Sequence, residues 1–387
     1  MLSIVTGSAS AGPWSIEPRL GASAAFDSNP GLNDLDPSSE GHVAALVNLP
    51  LRYDADDFAL LLAPSARISN SRGYSSLASS YEHFDGSAQF SNDRGSTTIQ
   101  AGLARDSSLS HAGGLANGVG VRRDTADVNA DWTRSLTERS LLQMDLGWSR
   151  VSYDQPPNTT GLTNYRYLSA GPTLAFALSE RDTLKVLGNL GRYQSQDGIT
   201  RSNSENLQLG FVRQLHELWS LSATAGYSRS TNTDEIFFGP FFLGDLTTHQ
   251  DGAIYTATLT RQSEQMTFSG SVSRSLQPTG FAFLSRQDSV SLSATYVRSE
   301  RWDFVLSGAW NKARNPVPGS SQTDQDAAST DVRYFSAQLT ADWHWTQQWI
   351  ISMHATRVSQ SFGPPTVSAA SNGVSVDIVR QFLRIDL

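Results

Sequence analysis

Asp342, His344, Ser352 and His354 bring a carboxylate, two imidazoles and a hydroxyl into one short stretch of chain. Those are the groups of nucleophilic hydrolysis, in which a base activates a hydroxyl and an acid orients the base. All four are at even positions, so on strands joined by the turn Thr346-Gln347-Gln348 they share one face, with Asp342 roughly opposite Ser352. No nucleophile motif surrounds Ser352, and Ser, His and Asp at alternate positions are also what a water-facing sheet carries. The chain is therefore read as a non-enzyme. It has no cysteine, no clustered metal-ligand spacing and no phosphate-binding glycine loop, so neither metal nor cofactor is expected.

A second chemistry recurs along the whole chain. Of 29 basic residues only Lys185 and Lys312 are lysine. Arginine grips phosphate through two parallel hydrogen bonds, which lysine does not do. Basic residues close apolar stripes at Arg67, Arg105, Arg150, Arg192, Arg229, Arg274, Arg314 (with Lys312) and Arg357, spaced 37 to 45 residues apart.

The elements that position these residues are legible in WSLSATAGYSR. Trp219, Leu221, Ala223, Ala225 and Tyr227 share one parity, and Arg229 ends the stripe. A period of two means strand, not helix. The spacing between successive arginines fits two membrane-crossing strands, one long connection and one short one. With no apolar run near the roughly 20 residues of a spanning helix, a barrel is the only route across a bilayer. Apolar residues make up only 39 % of the 387, too few for a large buried core, whereas a barrel shows lipid only alternate residues. The net charge of -8 argues against nucleic acid as a partner.

Eight short connections, at 55–57, 92–94, 137–139, 179–181, 216–218, 263–265, 299–301 and 346–348, alternate with nine long ones. The long ones centre on 27–40, 69–80, 106–124, 154–163, 194–203, 231–249, 277–286, 313–331 and 363–373 and are rich in Gly, Pro, Asn, Asp and Ser. This predicts an all-β fold: an antiparallel up-and-down transmembrane barrel of about 18 strands. Both termini are expected in the periplasm and the long loops outside. Residues 1–13, with Ala9-Ser10-Ala11, read as the remainder of a secretory signal, and 14–387 as the barrel.

Parity then assigns faces. Arg105, Arg150, Arg192, Arg229, Arg274, Arg314 and Arg357 fall on the lipid side at the loop end, where they would meet outer-membrane lipids and lipopolysaccharide phosphates. Arg67 is assigned to the same ring. Asp85, Asp131, Asp145, Lys185, Asn189, Asp303, Asn311, Asp342, His344 and His354 fall on the inner side, giving a polar, mildly acidic lumen. Within 231–249, Phe237, Phe238, Phe241 and Phe242 flank Gly239-Pro240. Such an apolar cluster either constricts the lumen or forms a lid.

With eighteen short alternating strands, SER/TER turns and openings such as YRYLSAGPTLAFALSERDTL, residues 14–387 resemble the β-barrel porins associated with exopolysaccharide export in Gram-negative bacteria. That resemblance implies an outer-membrane conduit for a secreted polysaccharide, working with periplasmic export proteins. A diffusion porin for small solutes, and a plugged barrel serving as adhesin or scaffold, are the alternatives.

Overall fold

The protein is described by a computed structural model over residues 14–32, 36–70, 80–107, 121–154, 162–238, 241–278, 284–315, 330–362 and 367–387; the segment 1–13 lies outside the described residues. The chain starts with β1 (Trp14–Ile16), β2 (Arg19–Asp27), β3 (Glu40–Asn48), β4 (Leu51–Asp54), β5 (Phe58–Ser69), β6 (Tyr81–Asn92) and β7 (Gly95–Ser107). It continues with β8 (Arg122–Thr137), β9 (Ser140–Asp154), β10 (Tyr165–Ala177), β11 (Asp182–Ser195), β12 (Thr200–His216), β13 (Trp219–Phe238) and β14 (Phe241–Gln262). It ends with β15 (Met266–Pro278), β16 (Leu284–Ser299), β17 (Trp302–Asn315), β18 (Thr330–His344), β19 (Trp349–Phe362), β20 (Val367–Gln381) and β21 (Ile385–Asp386).

All the pairings are antiparallel, and they close on themselves: β2 pairs with both β3 and β20, and β1 with both β4 and β21. Prolines interrupt two staves, Pro18 between β1 and β2 and Pro50 between β3 and β4, because proline cannot donate to the ladder. Counting β1–β2, β3–β4 and β20–β21 as single staves gives a closed barrel of 18 strands. Closure leaves no unpaired edge in the hydrocarbon, which is the condition for a sheet to cross a bilayer.

The outward face is apolar. Leu103, Val128, Leu146, Leu168, Leu190, Leu207, Leu209, Val374, Val376 and Ile378 are all exposed, and each is next to an outward residue on the neighbouring strand or its own. In water such a surface would associate; in a bilayer it is the required solvent contact. Two aromatic levels frame it. At the turn end Trp302, Trp343 and Trp345 stack in sequence at 6.0 and 6.4 Å, and Arg261 lies 5.7 Å over Trp219. At the loop end stand Trp148, Trp310, Tyr227 and Tyr255, with Arg274 5.6 Å over the Tyr255 ring. From Trp219 to Tyr227 the strand rises ~26 Å, which at the usual tilt spans the hydrocarbon core of an outer membrane. The protein is an integral outer-membrane β-barrel.

The eight short turns lie where the sequence places them. Four of the nine long connections are clearly shorter than expected. β11 ends at Ser195 and β12 starts at Thr200, β15 runs to Pro278 and β16 starts at Leu284, and β20 already begins at Val367. The expected loop 231–249 is mostly strand: β13 and β14 pair from Trp219↔Arg261 through Asp234↔Leu246 to Phe238↔Phe241. Antiparallel pairing does not stop at the bilayer surface, and polar β-compatible residues such as Thr231, Asn232, Thr233, Thr247 and Thr248 continue the ladder into water.

Candidate functional site

The inner wall is the candidate site, since it is the polar surface that the closed sheet encloses. On β6 to β9 it carries four carboxylates besides Asp106, which is paired with Arg123. Asp131 and Asp145 are direct register partners, and Gln143 Nε2 donates to Asp145 Oδ1 at 2.7 Å. Asp85 and Asp127 flank Gly102, one on each neighbouring strand. A Cβ at Gly102 would come 2.7 Å from the Asp127 carboxylate, so the missing side chain is what lets that carboxylate lie across β7 toward Asp85. Asp127 escaped the sequence reading although it shares the parity of Asn129 and Asp131, which was the signal available.

Lys185 and Asn189 stand on β11, in register with Gly210 and Asn206. Gln287 donates to Asn311 at 2.9 Å from β16 to β17. Near the turn end Asp303 and Asp342 are register partners, and His344 Nε2 lies 2.9 Å from Asp303 Oδ2. His354 is held from two sides, by Thr340 Oγ1 at 2.9 Å on its Nδ1 and by Asp377 at 3.3 Å on its Nε2. Asp342 and Ser352 are register partners, yet each histidine is committed to another carboxylate, and no described hydrogen bond joins Ser352 to an imidazole.

Arg67 departs from the ring assigned to it. On β5 the outward residues are Phe58, Leu60, Leu62, Pro64 and Ala66, so Arg67 points inward, where its guanidinium donates to Ser23 Oγ at 2.9 Å. It lines a cavity of about 200 Å³ with Asp27, His42, Tyr81, Thr356 and Ser375 at the seam where β2 meets β20. Just beyond Asp27 the chain folds inward: Asn29 N donates to Ser371 Oγ, Gln360 Nε2 donates to the Leu32 carbonyl, and Asn29 and Leu32 are buried.

Across the barrel the loop-end wall is equally covered. Tyr165 and Tyr193 stack at 5.2 Å, Tyr153 is buried beside them, and the Arg123–Asp106 pair at 2.7 Å is nearly buried as well. Tyr193, Ser202 and Ser230 face inward on adjacent strands and are 0 % exposed. Bulky inward side chains such as Tyr193, the register partner of Ser202, cover the serines beside them, so this wall takes up space at the loop end of the lumen as residues 29–32 do opposite.

The phenylalanine-bearing segment is the end of a paired ribbon. β13 runs nine residues past Arg229 to Phe238, roughly 30 Å of strand, with Phe242 exposed near the tip. The side chains of Phe237, Phe238 and Phe241 lie outside the described residues. Replacing Asp234–Leu246 by a two-residue Asn-Gly turn, which register pairing allows, is expected to leave single-channel conductance unchanged. A clear rise would return the segment to the role of a constriction.

Outside the barrel, Arg105, Arg150, Arg192, Arg229, Arg274 and Arg357 lie on the outward face at one level above the apolar band. The side chain of Arg314 lies outside the described residues.

No family model matches the chain, and no curated protein matches it. Among solved structures, it is similar to OpdL of Pseudomonas aeruginosa (14 % identity, covering 96 % of this chain and 99 % of that one, TM-score 0.47). It is similar as well to OccAB4 of Acinetobacter baumannii (10 %, 95 % and 98 %, TM-score 0.46). The ferric-catecholate import receptor Fiu of E. coli gives 7 %, 95 % and 81 %, TM-score 0.46.

Proposed function

We propose that the barrel is a diffusion channel for small polar solutes, neutral or cationic, with the long loops facing out and both termini in the periplasm. The observation that carries this reading is a largely polar inner wall, acidic on β6 to β9, with residues 29–32 folded inward at one side of its loop end. Hydroxyls, amides and carboxylates give many weak sites and no deep well, and conduction requires binding weak enough for release. Narrowing favours molecules of sugar or amino-acid size over a polymer chain.

The export reading keeps one supporting feature. Ser269, Ser271 and Ser273 on β15 face Ser293, Ser291 and Ser289 on β16, with hydroxyl pairs at 2.7 Å, a ladder along which sugar hydroxyls could exchange partners. Its other support, a phenylalanine constriction stacking on sugars, would have to come from the end of the paired β13–β14 ribbon.

Liposome swelling and a deletion strain separate the two. Reconstituted protein is expected to pass mono- and disaccharides and to exclude larger oligosaccharides, and the deletion strain is expected to keep its surface polysaccharide. Loss of surface polysaccharide, with no swelling in any small sugar, would overturn the diffusion reading in favour of export.

A further inference from the structure

The outward charges at the loop-end rim are of two kinds. Arg105, Arg229 and Arg274 each face an aspartate across the strand: Arg105 Nε reaches Asp124 at 2.7 Å, Arg274 Nε reaches Asp288 at 2.5 Å, and Arg229 Nε lies 4.0 Å from Asp251. Arg150, Arg166 and Arg192 do not follow that pattern. They occupy the adjacent strands β9, β10 and β11, all three are exposed, and none has a hydrogen bond or ion pair among the described residues. Arg150 is the register partner of Arg166. Arg192 is the partner of Leu168, one outward position along β10 from Arg166. Of the nearest acids, Asp124 holds Arg105 through both oxygens, and Glu205, in register with Leu190 and Arg229, is diagonal to Arg192 and has no ion pair with it among the described residues.

Like charges set directly opposite one another weaken a sheet. At Arg105, Arg229 and Arg274 an aspartate on the next strand offsets the guanidinium; here three guanidiniums stand on adjacent strands without an aspartate in register. A multivalent anion between them converts the repulsion into charge-assisted, bidentate contacts. The surface below says what kind of anion. Trp148, Leu168 and Leu190 lie on the same face, one step toward the bilayer, and are exposed. An outward groove of about 500 Å³ runs past Leu168, Leu190, Arg192, Asn203 and Arg229, with Glu205 as its one carboxylate. Charge at the rim with an apolar groove beneath it is complementary to a phosphate head carrying acyl chains.

We propose that Arg150, Arg166 and Arg192 form a binding site for the phosphate of one outer-leaflet lipid, whose acyl chains lie along Leu168 and Leu190. The outer-leaflet assignment rests on the long loops facing out; the phosphate chemistry does not.

The test is native mass spectrometry of the full chain in detergent, titrated separately with bisphosphorylated lipid A, dephosphorylated lipid A, phosphatidylglycerol and inorganic phosphate. One equivalent of bisphosphorylated lipid A is expected to be retained. R150S/R166S/R192S is expected to lower that retention about tenfold or more, the loss of at least one strong charge-assisted contact. R105S/R274S, which removes two aspartate-paired arginines that do not line the groove, is expected to retain the lipid. Equal loss in both variants, no loss in the first, or equal binding of dephosphorylated lipid A would overturn the site. Arginine-dependent binding of phosphatidylglycerol in place of lipid A would overturn the outer-leaflet assignment. Binding of inorganic phosphate alone would make this a free-anion site and overturn the lipid. Should the first triple fail to migrate as a folded barrel, R166S removes the middle guanidinium alone and is expected to lower retention about threefold; unchanged retention would then be the refuting result. Channel failure in swelling assays with lipid retention intact would fault the diffusion reading and leave this site standing.

Discussion

With Asp85, Asp127, Asp131 and Asp145 changed together to asparagine, the potassium-over-chloride permeability ratio of the reconstituted channel falls several-fold toward unity at 0.1 M salt, while open-channel steps persist. The reason lies in how the inner charges are partnered. Arg123 is held by Asp106, and Arg67 sits beside Asp27 and His42 in the seam cavity. His344 and His354 occupy Asp303 and Asp377. The four carboxylates on β6 to β9 are accompanied mainly by amides, as where Gln143 donates to Asp145. Fixed negative charge on a low-dielectric wall raises the local cation concentration. Debye screening gives the control. At about 10 Å of screening length the carboxylates act across much of the lumen, and at 1 M, where it is ~3 Å, the wild-type ratio itself should drop toward the variant's value. Asp303→Asn, which alters a carboxylate already paired with His344, should change the ratio far less. A ratio unmoved by the fourfold change at 0.1 M would remove these residues from solute selection.

The contrast between Arg67 and Arg229 shows what the sequence could and could not supply. In WSLSATAGYSR one parity is bulky and the other is small or polar, so alternation assigns the faces and the register follows. In FALLLAPSAR both parities are apolar, and nothing in the pattern tells lipid side from lumen side. Only pairing with β6, where Phe58 meets the exposed Phe90 and Ala66 meets Glu82, resolves it. The turns were legible because glutamate and aspartate clusters interrupt alternation; the long connections were less so, because Thr and Asn serve equally well in a loop and in a strand continued into water. Which arginines lack a partner among the described residues was not legible at all. Arg150 and Arg229 end identical stripes, and the difference is that Arg229 meets Asp251 on β14 where Arg150 meets Arg166 on β10. That depends on cross-strand register, not on either strand alone.

Gly226 is where a single methyl group is expected to do the most damage. It lies at the centre of β13 in register with Gln208. A Cβ there would overlap the Leu207 carbonyl and press on Gln208 Cα, both of them backbone atoms of β12. Glycine inside a strand marks such a close approach. No rotamer change relieves a clash with backbone, so β12 and β13 would have to separate or shift register, and a shift by one residue would turn Leu207 and Leu209 toward the lumen. Overpacking of this kind costs about 3 kcal/mol, a large share of a marginal stability. Gly226→Ala is therefore expected to reduce folded barrel strongly, read as loss of the heat-modifiable band in electrophoresis. Gly308→Ala supplies the comparison: its Cβ would sit 3.6 Å from the Ser336 carbonyl, an ordinary contact. The two variants carry the same propensity gain in one sheet; Gly226 faces the lumen and Gly308 the lipid, but a methyl group is small on either face, so the close approach is the main difference between them. Equal folding of both would mean that β12 and β13 do not meet as closely at this point as the register implies.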